Sequence, residues 1–312
     1  MTIHHAADFG RVAVLMGGRS AEREISLKSG QAVLDGLISL GVDAHKIDVD
    51  RYVAQQLEQG DFARAFIILH GRGGEDGEIQ GLLNTLEIPF TGSDITGAVL
   101  SMNKLLSKQV WIQHGLPTAE FATVTSATDA NALVQSLSLP LIIKPVNEGS
   151  SIGMSKVQSV DELAAAITLA TEFDAEVIAE RWIEGEEYTV AIVNGKALPT
   201  IQLKTPNEFY DFEAKYQSNT TQYLCPCGLS EQIESQLQAL AVNAFNVLRM
   251  KGWGRIDFMR DQAGEFYLLE ANSIPGMTDH SLVPMAAKQA GLDFNQLVWQ
   301  ILAGSMVEVN NG

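Results

Sequence analysis

Apolar and polar residues alternate along Gly254 to Arg260 and again along Glu265 to Asn272, with Asp261-Gln262-Ala263-Gly264 between them. Alternation with period two around turn residues predicts a β-hairpin. Strand side chains alternate faces, so Arg255 and Asp257 share one face, as do Glu270 and Asn272. A four-residue loop pairs Arg260 with Glu265 and sets Arg255 opposite Glu270. All four polar groups then point one way, and Ile256, Phe258, Tyr267, Leu269 and Ala271 form the buried face. A slip of one residue would invert both sets, so the register is specified. Two carboxylates and an amide oxygen make a hard-oxygen donor set suited to Mg²⁺. A solvated sheet face laced with salt bridges would carry the same residues. The hairpin runs into the polar turn 272–278, and Ser281 is the expected N-cap of an apolar helix. A helix N-terminus beside such a face suits an anionic ligand.

The same pattern organises the rest of the chain. Residues 11–16 read as a strand, 17–20 as a tight turn, and 21–40 as a helix through Ile25, Val33, Leu34 and Leu37. That opening predicts a doubly wound α/β domain with a parallel sheet. Glu22 falls at the helix start, the edge of the sheet where open α/β folds bind ligands. Helix dipoles alone also favour an acid there. A buried strand at 65–69 ends in His70-Gly-Arg-Gly-Gly-Glu-Asp-Gly77, whose glycines permit close backbone approach. A strand at 88–91 and a helix from 94 close the first domain near residue 102.

Asn103-Lys104 opens a helix ending at His114-Gly115. The strand 139–145 carries Lys144, the Gly/Ser loop 146–154 follows, and 155–157 resumes β structure. The loop is not a Walker loop, because its lysine precedes it. A helix at 161–171 and strands at 176–183, 188–193 and 197–203 come next. The stretch 204–224 is polar, aromatic and irregular, the mark of a functional loop or of disorder; the composition of 210–216 argues against disorder. A helix at 230–250, the hairpin, and helices at 281–291 and 294–303 finish the chain.

Composition narrows the function. A net charge of −17 over 312 residues lacks the basic footprint of a nucleic-acid binder and disfavours an anionic membrane surface. Phosphate ligands would need local lysines, arginines or metal. Cys225 and Cys227 lack the further ligands of a metal site and read as packing residues. No signal-like start and no membrane-length apolar run is visible, so the expectation is a cytoplasmic protein with neither a nucleic-acid nor a membrane partner.

Six motifs in order resemble those of the D-alanine–D-alanine ligase family of the ATP-grasp superfamily. They are GGRSAERE at 17–24, HGRGGEDG at 70–77, KP at 144–145 with EGSSIGMSK at 148–156, YDFEAKY at 210–216, GWGRID at 252–257, and LEANSIPGMT to HSLVPMAA across 269–287. Ser273 stands where the family commonly has Thr, and Asn103 where Asp is frequent. The resemblance implies an α/β N-terminal domain over 1–102, then a two-part α+β ATP-grasp fold divided as 103–187 and 188–312. It implies joining of two D-alanine molecules with ATP, through a D-alanyl phosphate. Asp257, Glu270 and Asn272 would hold two Mg²⁺ (or Mn²⁺) ions. Lys104, Lys144 and Lys215 would hold phosphates under the loop bearing Glu148, Ser150 and Ser151. Glu180 and the Arg181-Trp182-Ile183 hinge would face adenine, and Glu187 the ribose. Glu22, with His70 nearby, would take the first D-alanine's ammonium. Arg255 and the Gly276 N–H would face the oxyanion, and Ser281 the second carboxylate. Ser150, Tyr216 and Glu22 would form a hydrogen-bonded set closing the site, in a homodimer. A D-alanine–D-lactate or other ATP-grasp ligase, and a non-catalytic nucleotide-binding module, stay open at this point.

Overall fold

The structure is a computed structural model that describes residues 5–205 and 221–306. Three sheets carry the described chain. The first is parallel, ordered β2-β1-β3, from β1 (Val12–Gly17), β2 (Ala44–Val49) and β3 (Arg64–Ile67), interleaved with helices α1 (Arg23–Ser39) and α2 (Val53–Gly60). Every residue of β1 is buried, as expected of a strand between two covered faces. The strand expected at 88–91 reduces to one bridge, Phe90 with Ala65. Thr91 there turns its hydroxyl to the Ile67 N–H. Helices α3 (Glu78–Thr85) and α4 (Ile95–Met102) follow, and α5 spans Lys104–Gln113. Asp94 caps α4 and Asn103 caps α5 through side-chain oxygens. Asn is among the residues that cap a helix N-terminus well, and Asn103 accepts the Leu106 N–H in that role.

The second sheet, β4-β7-β5-β6, is antiparallel and comprises β4 (Phe121–Val124), β5 (Leu141–Pro145), β6 (Ser155–Val157) and β7 (Val177–Arg181). Helices α6 (Ala130–Leu137) and α7 (Leu163–Thr171) accompany it. The third sheet is ordered β11-β10-β8-β12-β13, with β9 paired to β8. Its strands are β8 (Gly185–Val193), β9 (Lys196–Ala197), β10 (Ile201–Lys204), β11 (Gln222–Leu224), β12 (Trp253–Asp261) and β13 (Phe266–Asn272). Helix α8 (Glu231–Val247) packs on it, and α9 (Leu282–Gln289) and α10 (Phe294–Gly304) close the chain.

Two packing facts refine the sequence-based division. Helix α5, placed with the central part on sequence, buries Trp111 in the core of the third sheet beside Phe245 and Leu248, and the indole N–H donates to the Ala244 carbonyl. Helix α10 returns to the first domain and shares its core: Val298 and Leu302 pack in one cluster with Val33 and Leu37. The N-terminal domain is thereby tied to the far end of the chain, which holds the hairpin and the turn after it close to the glycine loop.

Candidate active site

Two clefts open between the sheets. The first, of about 560 Å³, is lined by Glu22, His70, Glu75, Lys104, Glu148, Ser150, Arg255, Glu270, Asn272, Gly276 and Ser281. The second, of about 440 Å³, is lined by Lys104, Lys144, Ser151, Glu180, Arg181, Trp182, Ile183, Glu187 and Glu270. Lys104 and Glu270 belong to both, so the clefts meet there. Lys215 and Tyr216 lie outside the described residues.

The hairpin forms with a different register from the simple four-residue loop. Arg255 stands opposite Asn272 and Asp257 opposite Glu270, while Phe258 pairs with Leu268 and Arg260 with Phe266. At the site the pairing is shifted by two residues, which preserves the face of each side chain because the strand period is two. Arg255, Glu270 and Asn272 therefore still line one cleft. A bulge between Asp257 and Phe258 absorbs Leu269, as bulges beside active sites do. The phase inverts beyond it: Leu268 enters the core, whereas Tyr267 and Leu269, expected to be buried, line the second cleft.

Asp257 is 4% exposed and stands behind the first cleft. Arg255 donates to both its oxygens, from Nε and Nη2, each at 2.8 Å. The Thr189 hydroxyl donates to Oδ1 at 2.5 Å, and Asn272 Nδ2 to Oδ2 at 3.0 Å. This web fixes one edge of the Arg255 guanidinium, and the side chain lines the first cleft.

At the opposite wall, the Ser150 hydroxyl donates to Glu22 Oε1 at 2.6 Å. Ser150 and Ser151 both take left-handed backbone conformations, at φ 51° and 60°. Such non-glycine positions cost on the order of 1 kcal/mol or more each and cluster where a loop is held for a purpose. Gly149 lets the loop pass close to Glu22: a Cβ there would lie 3.3 Å from Oε2. Lys104 Nζ donates to the Glu148 carbonyl at 2.5 Å, and Arg72 Nε to the Glu148 carboxylate at 2.8 Å. The Gly/Ser loop is thus tied to α5, to α1 and to the glycine turn after β3.

His70 is 5% exposed, and its Nδ1 lies 2.9 Å from the Ile274 carbonyl. A carbonyl only accepts, so Nδ1 carries the proton and Nε2 is the acceptor. Burial pushes the His70 pKa below its ordinary value, against the pull of Glu22. The ring is neutral around neutral pH. Glu75, to which the sequence reading gave no role, spans the first cleft. Its Oε2 accepts the Gly71 N–H at 2.7 Å and its Oε1 the Ile274 N–H at 3.2 Å. Burial, reinforced by the Glu22 charge, raises its pKa to about 8. Ser281 sits at the N-cap of α9, but its hydroxyl accepts from Thr278 N at 2.9 Å and makes no capping bond to the helix. The expected cap is replaced by a bond that shapes the turn around Gly276, where a Cβ would lie 2.9 Å from Ser281 Oγ.

In the second cleft, Glu180 is held by two lysines, Lys108 Nζ at 2.8 Å and Lys144 Nζ at 2.5 Å. Burial raises its pKa, but the two ammonium groups more than offset that and hold it below the usual carboxylate range. Lys108 carried no motif signal. Its one legible trace is the spacing of four from Lys104, which puts both on one face of a helix. Lys156 Nζ lies 4.3 Å from the centroid of the Trp182 ring, bracing the hinge.

The chain matches the family models described as D-ala D-ala ligase N-terminus, over residues 52–93, and D-ala D-ala ligase C-terminus, over residues 110–303. It is 57% identical over 298 residues to the D-alanine–D-alanine ligase of Nitrosococcus oceani, covering 96% of this chain and 94% of that one. It is 55% identical over 302 residues to that of Idiomarina loihiensis, covering 96% and 98%. A crystal structure of the Bacillus anthracis D-alanine–D-alanine ligase superimposes with a TM-score of 0.85 at 32% identity, over 95% of this chain and 97% of that one. The same enzyme complexed with ATP gives 0.84 at 30% identity, over the same shares of the two chains. With these matches laid over the paired clefts, the chain belongs to the D-alanine–D-alanine ligase family.

Proposed function

We propose that this enzyme joins two molecules of D-alanine with ATP, through a D-alanyl phosphate, releasing D-alanyl-D-alanine, ADP and phosphate. The observation that carries this reading is the meeting of the two clefts at Lys104 and Glu270. A nucleotide in the second cleft presents its phosphates at that junction, where the carboxylate of an amino acid in the first cleft arrives. Phosphoryl transfer needs alignment and charge neutralisation more than covalent help. Lys104 and Lys144 supply part of that charge, and Lys215 adds to it in this reading. Glu180 and residues 181–183 face adenine, and Glu187 the ribose. Ser151 and the backbone near Glu148 cover the phosphates.

Glu22 binds the ammonium of the first D-alanine by charge. His70 lines the same cleft, and its buried Nε2 has no hydrogen-bond partner among the described residues. The second amine attacks the acyl carbon, and the developing oxyanion is met by Arg255 and the Gly276 N–H. Arg255 is already oriented by Asp257, so little reorganisation is needed. Ser281 receives the second carboxylate. An acyl phosphate is lost to water unless enclosed, and the Ser150–Glu22 bond holds the loop over the cleft, with Tyr216 completing the set. Glu270 and the Asn272 amide oxygen line the first cleft and fit Mg²⁺ or Mn²⁺ by donor chemistry. Asp257, directly opposite Glu270 in register, would join them by exchanging its bonds from Arg255, Thr189 and Asn272. Two such ions, when bound, neutralise the transferring phosphoryl group. A cytoplasmic homodimer is the setting that family resemblance supports.

The test is product analysis with the purified chain, ATP and Mg²⁺. D-Alanine alone should give a dipeptide with stoichiometric phosphate. L-Alanine should give neither, and D-lactate beside D-alanine should add little depsipeptide. Phosphate release without a dipeptide, or depsipeptide as the main product, would overturn the assignment.

A further inference from the structure

Lys108 is 0% exposed and stands behind Glu180, while Lys144 and Glu180 line the second cleft. A buried ammonium is costly unless its hydrogens are used, and two of the three on Lys108 are committed. One goes to Glu180 Oε1 at 2.8 Å and one to the Thr118 hydroxyl at 2.6 Å. Thr118 in turn donates to the Leu268 carbonyl at 2.8 Å, so it can only accept from Lys108. The Phe121 ring lies 5.6 Å from the ammonium. Lys108 is thus fixed by β4, β7, the turn before β4 and the bulged strand β13.

The two lysines on Glu180 are not equivalent. Lys144 reaches the cleft, where phosphates would draw it away. Lys108, enclosed, has no path to a phosphate and stays with Glu180. Whenever Lys144 turns to the nucleotide, Lys108 is the remaining counter-charge of a carboxylate only 3% exposed. Without it that carboxylate would take up a proton and gain an O–H donor.

The geometry points to Lys108 as a positioning residue that sets base selectivity, keeping Glu180 a pure hydrogen-bond acceptor toward the base edge. An acceptor there takes the exocyclic amino group of adenine and rejects the keto oxygen of guanine, which leaves two acceptors facing each other. This inference rests on the reading that Glu180 faces the base, and deepens it.

The experiment is a double-mutant cycle on nucleotide choice. kcat/KM with ATP and with GTP is measured at saturating D-alanine for the parent, Lys108→Met, Glu180→Gln and the double variant. The parent should prefer ATP. Lys108→Met should lower the ATP:GTP ratio by about tenfold or more, on the scale of one charged hydrogen-bond partner, chiefly through KM. Glu180→Gln should lower the ratio too, and in that background Lys108→Met should change it no further. An unchanged ratio in Lys108→Met, or an equal drop in both backgrounds, overturns the role of Lys108 while leaving the base-facing reading intact. An unchanged ratio in Glu180→Gln overturns the base-facing reading and this inference with it. If Lys108→Met does not fold, Lys108→Gln, which keeps a donor but no charge, is held to the same outcomes.

Discussion

Ser150 and Glu22, 128 residues apart in sequence, share a 2.6 Å hydrogen bond that joins the Gly/Ser loop to the start of α1. In the proposed reading it puts the carboxylate that would recognise D-alanine in contact with the loop that would cover the nucleotide. Glu22 accepts this bond, which fixes the carboxylate in place.

Glu22→Gln should therefore damage D-alanine use and spare the nucleotide. Replacing a charged partner is worth roughly 1.5–3 kcal/mol, or about 10- to 150-fold in affinity. KM for D-alanine should rise by that order, while ATP affinity, followed by equilibrium binding, moves no more than about threefold. Equal losses for both ligands would indicate a folding defect in place of a recognition role.

Glu270→Gln keeps size and removes one charge where the clefts meet. Ligation should fall on the order of 10²–10³-fold, as when one electrostatic stabiliser is removed, with the thermal midpoint little changed. Because Glu270 sits at the cleft junction and Asp257 behind it, excess Mg²⁺ should restore part of the activity in Glu270→Gln. Near-parent turnover at ordinary Mg²⁺ would sink the assignment of this hairpin as the metal face.

Glu75 predicts a pH dependence of stability. Its folded pKa, about 8, lies above the ordinary value of 4.5. Such a group contributes stability that is complete below about pH 4.5 and is lost as pH rises through about 8. Glu75→Gln removes the titration. The stability of the parent relative to the variant, from denaturant melts between pH 5 and 9, should therefore decline steadily to about pH 8 and then level off. A constant difference across that range would show that Glu75 is ionised throughout in the folded chain.

Much of the fold was legible because its signals are local. The alternation around 261–264 gave the hairpin, and Glu22, His70, Ser150 and Arg255 gather in one cleft as their motifs implied. The register was less legible. Nothing in the residues 265–272 marks Leu269 as the bulged position, since Tyr267 and Leu269 alternate as plausibly as Leu268 does; the pairing of Phe258 with Leu268 is decided by the core they fill. Lys108 was invisible for a related reason. A lysine on a helix reads as solvated surface until a buried carboxylate from another strand, Glu180, is brought to meet it. Glu75 sat within a recognised glycine motif, but its role depends on the Ile274 N–H, which is 199 residues away.

In the proposed reaction the phosphoryl group passes at the cleft junction from nucleotide to the D-alanine carboxylate. D-Alanine labelled with ¹⁸O in both carboxylate oxygens tests it directly, with the released phosphate read by mass spectrometry. Attack of the carboxylate on phosphorus, then of the second amine on the acyl carbon, leaves the bridging oxygen on phosphate. Each phosphate released during dipeptide formation should carry one ¹⁸O, and one should remain in the new peptide carbonyl. Phosphate free of label, formed at the same rate as dipeptide, would mean that no acyl phosphate forms and would rule out this route.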